Sequence, residues 1–310
     1  MGNVPKTLRE TIKDITRTHL TEKNGLAMGQ CLTAVGWVGG TLPELYEDKG
    51  MVELSMADVA GGGFAVGAAL SGRRPMYIIR YQGFNWFNAP IIVNYACKSK
   101  EIWNVPCPMF IRSIAMEGAI GPVAGSSHHS IYYRMPGVVI RSPMTPKEYI
   151  NCYENFMKSD DVYYVSEHRG AYGNSEELED IELNEADLCL SPISITRFPA
   201  MKAAENLGKK GIKVSVHHIE SIKPFVVSQK AIQNLKQASV GLVLDDDFTN
   251  GVAKSIAFDL GKTAGARMDV LGLLDRTAGF DKKVDNLPPN EIDIEKKVID
   301  ILSRKDSKND

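Results

Sequence analysis

The stretch Met56-Ala-Asp-Val-Ala-Gly-Gly-Gly-Phe-Ala-Val-Gly-Ala-Ala-Leu-Ser-Gly72 runs from a strand end, past one carboxylate, into a helix packed on glycine and alanine. Val52, Leu54 and Met56 alternate as a strand does, and the small residues from Gly62 onward suit a tightly packed helix. Asp58 therefore falls where a parallel strand gives way to a helix, the place where open α/β sheets bind ligands. A lone acid there also serves as a helix cap, and the stretch by itself leaves both readings open.

Around it, 310 residues give room for about two domains, each with its own core. The charge is nearly balanced, with 36 basic against 38 acidic residues, which argues against a general nucleic-acid surface or a polybasic membrane anchor. Five cysteines (31, 97, 107, 152 and 189) form no CxxC pair and are odd in number, the pattern of a reduced set in a cytoplasmic protein. Met1-Gly-Asn-Val-Pro-Lys6 lacks the apolar segment of a signal peptide, and apolar runs such as Cys107 to Ile111 are far shorter than a membrane span. A soluble, cytoplasmic protein is expected.

Leu8, Ile12, Ile15 and Leu20 recur at near-helical spacing and predict an amphipathic first helix. Met76 to Tyr81, Cys107 to Arg112, Val138 to Ile140 and Val162 to Val165 read as buried strands, with helices over Phe87 to Glu101 and Pro146 to Met157. This alternation predicts an α/β fold with a mostly parallel, doubly wound sheet over residues 1–175. Residues 176–187, rich in acids, read as a solvated linker rather than a metal site, because apolar residues interrupt the acids. Residues 188–310 read as a smaller α/β domain. Its predicted strands are Ile193 to Thr196, Val214 to Ile219, Val240 to Leu244 and Met268 to Leu273, and its helices include Pro199 to Lys209 and Ile292 to Leu302. The polar tail from Arg304 is expected to fray.

Ile114-Ala-Met-Glu-Gly-Ala-Ile-Gly-Pro-Val-Ala-Gly-Ser-Ser-His-His-Ser130 follows a buried strand and joins three glycines to a histidine pair. Glycines allow a backbone to approach a ligand closely, and histidine moves protons near neutral pH. An incidental surface loop is the plainer alternative. Zinc is disfavoured, since adjacent histidines rarely point the same way and no nearby Cys or acid completes a tetrahedral set, so no metal ligands are assigned.

Taken together, these segments resemble the β subunit of thiamine-diphosphate-dependent 2-oxoacid dehydrogenases (the E1 β family), and more distantly the C-terminal half of transketolase. Gly63-Phe-Ala-Val-Gly-Ala-Ala69, Gly72-Arg-Arg-Pro75, Phe84-Asn85, Ile92-Val-Asn-Tyr-Ala-Cys-Lys98, Val105-Pro-Cys-Pro-Met-Phe-Ile-Arg112, His129-Ser130, Pro136-Gly137 and Ser142-Pro143 follow that family's order. Ile219-Glu-Ser-Ile-Lys-Pro224 resembles its final domain. The resemblance implies a pyrimidine-binding domain followed by a transketolase C-terminal-type domain, with thiamine diphosphate as cofactor and Mg²⁺ held mainly by a partner subunit. In such enzymes a Gly-Asp-Gly motif and a later Asn grip the diphosphate through Mg²⁺, and no Gly-Asp-Gly occurs in this sequence. A separate diphosphate-binding chain and an α2β2 assembly follow as expectations.

By the same resemblance, Asp58 falls at the acid that hydrogen-bonds the cofactor's pyrimidine nitrogen, Phe84 at the aromatic packed on that ring, and His129 at the loop histidine facing the substrate, a role His128 shares. Gln30 falls where the family carries an acid in Gly-Glu-Asp. Two departures stand out. Asp58 is one methylene shorter than the family's Glu, about 1.5 Å, and a misplacement of about 1 Å costs on the order of 100-fold in rate. The neutral Gln30 cannot relay a proton. Arg80 and Arg112, near strand ends, are candidates for a substrate carboxylate or phosphate and equally for structural ion pairs. The expected activity is carbon–carbon bond chemistry beside a carbonyl, either on a 2-oxoacid or as a two-carbon ketose transfer. The competing expectation is a catalytically silent stabilising or regulatory subunit.

Overall fold

The computed structural model describes residues 5–116, 125–277, 281, 283 and 285–306. Gly118 and Gly121 of the predicted ligand loop, and the extreme ends of the chain, lie outside the described residues. In chain order the first half carries α1 (Leu8–Glu22), β1 (Leu26–Gln30), the short turn α2 (Gly36–Gly40), β2 (Met51–Leu54), α3 (Asp58–Leu70), β3 (Pro75–Ile79), α4 (Asn85–Ile91), α5 (Cys97–Trp103), β4 (Met109–Ala115), α6 (His129–Tyr133), β5 (Val138–Arg141), α7 (Pro146–Lys158) and β6 (Val162–His168). The second half adds β7 (Leu188–Pro192), α8 (Arg197–Lys209), β8 (Val214–Val216), β9 (Ser221–Lys223), α9 (Gln229–Ala238), β10 (Val240–Phe248), α10 (Val252–Ala264), β11 (Arg267–Leu273) and α11 (Glu291–Asp306).

Two sheets result. The first has the order β2-β1-β3-β4-β6-β5-β9, and every pair is parallel except β5 with β9. The second, β11-β10-β7-β8, is wholly parallel. Strands β3, β4 and β6 are buried along their whole length, which accounts for their unbroken runs where a half-exposed strand would alternate. The second half of the chain lends β9 to the edge of the first sheet, so the two halves share a backbone ladder as well as side chains. None of the described helices is long and apolar enough to cross a membrane.

Helix α1 begins at a capping box in which the Thr7 hydroxyl accepts the Glu10 N–H and Glu10 accepts the Thr7 N–H. It buries Leu8, Ile12 and Leu20 in the core under α7. On the same helix His19 is fully buried, with Nε2 donating to the Arg74 carbonyl at 2.8 Å and Nδ1 accepting from Tyr153 Oη at 3.0 Å. Burial pulls its pKa down to about 4. The folded chain therefore holds a neutral imidazole that the unfolded chain protonates near pH 6.5, so this stability is complete above pH 6.5 and is lost as pH falls toward 4. The expected loss is about 2–3 kcal/mol by pH 4.5. Urea denaturation at pH 7 and pH 4.5 checks it: His19→Gln should flatten the pH dependence, and an unchanged slope would remove His19 as its source.

Helix α3 lies against α4 and β3 through its glycines. A methyl group on Gly62 would stand 2.6 Å from Ile91 Cγ2, and one on Gly61 3.0 Å from Tyr77 Oη. Gly62→Ala is expected to cost about 1–3 kcal/mol through overpacking, read as a lower denaturation midpoint. Gly63→Ala, with open space at its Cβ, serves as the control.

The structure moves several predicted boundaries. Strand β2 ends at Leu54, and Met56, read as part of the alternation, is 75% exposed. The predicted helix Phe87 to Glu101 is a longer run, α4 and α5 joined through a π-helical turn at Ile92–Ala96. The strand placed at Ile193 to Thr196 is β7, Leu188–Pro192, and Ser194–Thr196 form a 3-10 turn. The extended backbone breaks at Ser194, whose φ is 53°. Strands β1 and β9 are short and carry no strand pattern of their own in the sequence.

Candidate active site

Gln30, Met56, Asp58, Arg80, Phe84 and Asn88 line one small cleft at the C-terminal ends of β1, β2 and β3. Parallel strands all deliver their ends to the same edge, so residues 30, 58 and 84, distant in sequence, meet there. Asp58 opens α3, and the N-cap, Ala57, makes no side-chain cap. The Asp58 carboxylate instead accepts from Asn88 Nδ2 at 3.2 Å, so its bond is to a neighbouring helix. Asn88 is fixed in turn, since Nδ2 also donates to the Phe84 carbonyl at 3.0 Å and Oδ1 accepts from Tyr77 Oη. Phe84 is half-buried, and Gln30 Nε2 is buried without a hydrogen-bond partner among the described residues.

The histidine pair is held by Gln82, which lies in the same short turn as Phe84. The Gln82 carbonyl oxygen accepts the His128 N–H at 2.6 Å and the Tyr164 hydroxyl at 3.1 Å, while its amide donates to Ser166 Oγ at 2.8 Å and to the Ser113 carbonyl. The His128 ring lies between Trp86 and Phe248 with Nε2 3.1 Å from Ser126 Oγ, and burial lowers its pKa. His129 is fully buried. Its Nδ1 bonds Ser166 Oγ at 3.1 Å and its Nε2 lies 3.1 Å from Asp245 Oδ1. Burial opposes the charged form, but the carboxylates of Asp245, Asp247 and Asp246 outweigh it and hold the His129 pKa up at about 9.

Asp245, Asp246 and Asp247 were missed by sequence reasoning. The available signal was three consecutive carboxylates ending an otherwise apolar strand, Val240 to Leu244, where burial of charge demands a partner. That the partner is His129, 116 residues away, is a tertiary fact.

The two candidate arginines part company. Arg112 is fully buried, with Nε donating to Glu167 Oε1 at 2.7 Å and Nη2 to Glu167 Oε2 at 2.9 Å and Thr41 Oγ1 at 3.0 Å. It is a structural ion pair. Arg80 stacks on Tyr81 at 4.9 Å and, with Arg169, faces a cavity of about 250 Å³ lined also by Val38, Gly39 and Met116. Neither guanidinium has a carboxylate partner among the described residues. One wall of this cavity is α2, where Trp37, Val38 and Gly39 sit at φ 55°, 51° and 64° in a left-handed turn. A left-handed non-glycine residue costs roughly 1–2 kcal/mol. Burial of Val38 and the bond from Leu42 N–H to the Trp37 carbonyl at 3.1 Å hold the turn in place. Two larger grooves on the second domain are lined by none of these residues.

Residues 9–175 match the family described as transketolase, pyrimidine binding domain. The chain belongs to that family. As a member of the transketolase pyrimidine-binding family, it is 25% identical over 280 residues to the pyruvate dehydrogenase E1 component subunit beta of Bacillus subtilis, covering 83% of this chain and 85% of that one. It is 26% identical over 283 residues to the 1-deoxy-D-xylulose-5-phosphate synthase of Desulfotalea psychrophila, covering 84% of this chain but only 42% of the synthase. Among solved structures it resembles a split-gene transketolase described as an inactive beta4 tetramer, with TM-score 0.72 at 14% identity over 97% of this chain and 99% of the other. The transketolase of Campylobacter jejuni gives TM-score 0.68 at 16% identity, over 90% of this chain and 44% of that one. The fold and the expected E1 β and transketolase likeness are thereby established: a mostly parallel α/β domain followed by a second α/β domain.

Proposed function

We propose that this chain is the pyrimidine-binding subunit of a two-chain thiamine-diphosphate enzyme acting beside the carbonyl of a 2-oxoacid or ketose. The observation that carries the proposal is the convergence of Asp58, Phe84 and Gln30 in one cleft, with the arginine cavity sharing Arg80. An acid held by Asn88, a half-buried aromatic and a buried amide with a free Nε2 fit the ring end of the cofactor. Nothing in the sequence supplies a Gly-Asp-Gly for its diphosphate and Mg²⁺, which are assigned to the partner.

When bound, thiamine diphosphate supplies a carbon nucleophile for the substrate carbonyl. In this chain Asp58 would hydrogen-bond the ring nitrogen, Phe84 would pack on the ring, and Gln30 would donate through its side-chain amide. His128 is the histidine placed to hold or move a proton at the substrate oxygen. His129, fully buried between Ser166 and Asp245, positions the loop. Arg80 and Arg169 take the anionic end of the substrate as charge-assisted donors.

A partner surface is supported by the exposed apolar side chains of α3, α4 and α5. Phe64, Trp86, Phe87, Ile102 and Trp103 are each more than half exposed, and such a patch marks an interaction face. Calorimetric titration of thiamine diphosphate and Mg²⁺ into this chain mixed with its Gly-Asp-Gly-bearing partner tests the reading. Saturable binding by the mixture, and none by this chain alone, is expected. A mixture that assembles but binds no cofactor would instead establish the silent-subunit alternative.

A further inference from the structure

We propose that His129, Asp245 and Asp246 form a divalent metal site that ties the two halves of the chain together. His129 comes from the first half, and the aspartates lie in β10 of the second. A nitrogen of His129 and one carboxylate oxygen from each of Asp245 and Asp246 all lie within 4.8 Å of one another. His129 Nε2 is 3.1 Å from Asp245 Oδ1 and 3.8 Å from Asp247 Oδ2. Two ligand atoms at about 2.1 Å from one ion, at right angles, stand about 3 Å apart, so these spacings suit neighbouring positions around a cation.

Three further observations point the same way. Asp245, Asp246 and Asp247 are essentially unexposed, and among the described residues the only cationic side chains within 4 Å of them belong to His129 and His168. Three adjacent carboxyl groups thus sit in a dry interior, where such groups are ordinarily paired or bound to metal. Asp246 Oδ1 has no hydrogen-bond partner among the described residues, although the residue is fully buried. The surroundings also orient donors as outer ligands do. Ser127 and Ser194 hydroxyls donate to Asp246 Oδ2 at 2.7 and 3.0 Å, and Ser166 engages His129 Nδ1, which turns Nε2 toward the aspartates. The site lies at the C-terminal ends of β10 and β7, where the order of the second sheet reverses, the position at which parallel sheets take ligands. One imidazole with carboxylates favours a first-row ion such as Mn²⁺ or Zn²⁺.

The test uses the full chain without any partner or thiamine diphosphate, so it is independent of the function proposed above. The chain is stripped with chelator and titrated with Mn²⁺ and Zn²⁺ by calorimetry, and its metal content after dialysis is measured by mass spectrometry. About one retained ion per chain is expected, with at least about tenfold weaker binding in Asp246→Asn. Asp180→Ala is the control for the more exposed group of Asp180, Glu182 and His217, and should bind as the parent does. Parent chain that retains no ion overturns the site, as does binding abolished by Asp180→Ala but kept by Asp246→Asn. Should Asp246→Asn fail to fold, Ser194→Ala replaces it, with a weaker but measurable loss expected and unchanged affinity counting against the site.

Discussion

Asp58→Ala in the assembled two-chain enzyme should lower turnover by at least about 100-fold while the chain stays folded. The stability part follows from location. Asp58 is half-exposed at the first position of α3, caps nothing, and loses a single bond to Asn88 on substitution. The rate part follows from what that bond does. Asn88 is itself fixed by Phe84 and Tyr77, so the carboxylate is held at one place in the cleft. Asp58→Glu should also change turnover, because a longer side chain leaves the Asn88 bond or pushes deeper into a small cleft beside Arg80 and Phe84. The two variants are read by steady-state kinetics with cofactor affinity measured in parallel. Asp58→Ala should depress kcat more than it weakens cofactor binding. Unchanged turnover in both variants would remove Asp58 from the mechanism.

The largest stability effect is expected at Glu167. Its carboxylate accepts Nε and Nη2 of Arg112, the Tyr149 hydroxyl at 2.7 Å and the Tyr172 hydroxyl at 2.6 Å, all inside the first sheet's core. Glu167→Ala leaves Arg112 charged, fully buried and without its counter-ion, which costs about 3–5 kcal/mol. Replacing both partners by apolar residues, as in Arg112→Met with Glu167→Leu, removes the stranded charge and should recover a large part of that loss. Urea denaturation of the parent, single and double variants decides it. A single variant within about 1 kcal/mol of the parent would show that the pair is not a structural anchor.

Much of this molecule is written locally. The segment Val52 to Gly72 announces a strand, an acid and a small-residue helix within 21 positions, and each signal depends only on neighbours in sequence. Strand β1 escaped notice because Leu26-Ala-Met-Gly-Gln30 is short and contains a glycine, so its burial comes from β2 and β3 on either side rather than from its own pattern. Arg80 and Arg112 show the limit most clearly. Both are arginines near the ends of buried strands. Arg112 meets Glu167 on the neighbouring strand β6, while Arg80 meets no acid among the described residues and faces a cavity. No property of either residue's own segment separates them.

By itself the sequence determined the parallel α/β class, the family likeness, and Asp58, Phe84, Gln30, His128 and His129 as candidate residues. Hydrophobic period and small-residue packing are local and survive without coordinates. Only the tertiary structure brought Gln30 into the same cleft as Asp58, buried His129 against Asp245 and Asp246, and left His128 the less buried of the two histidines. Those outcomes depend on which strand ends share an edge and on where the second domain docks. Both are set by long-range burial, and neither is encoded at any one position.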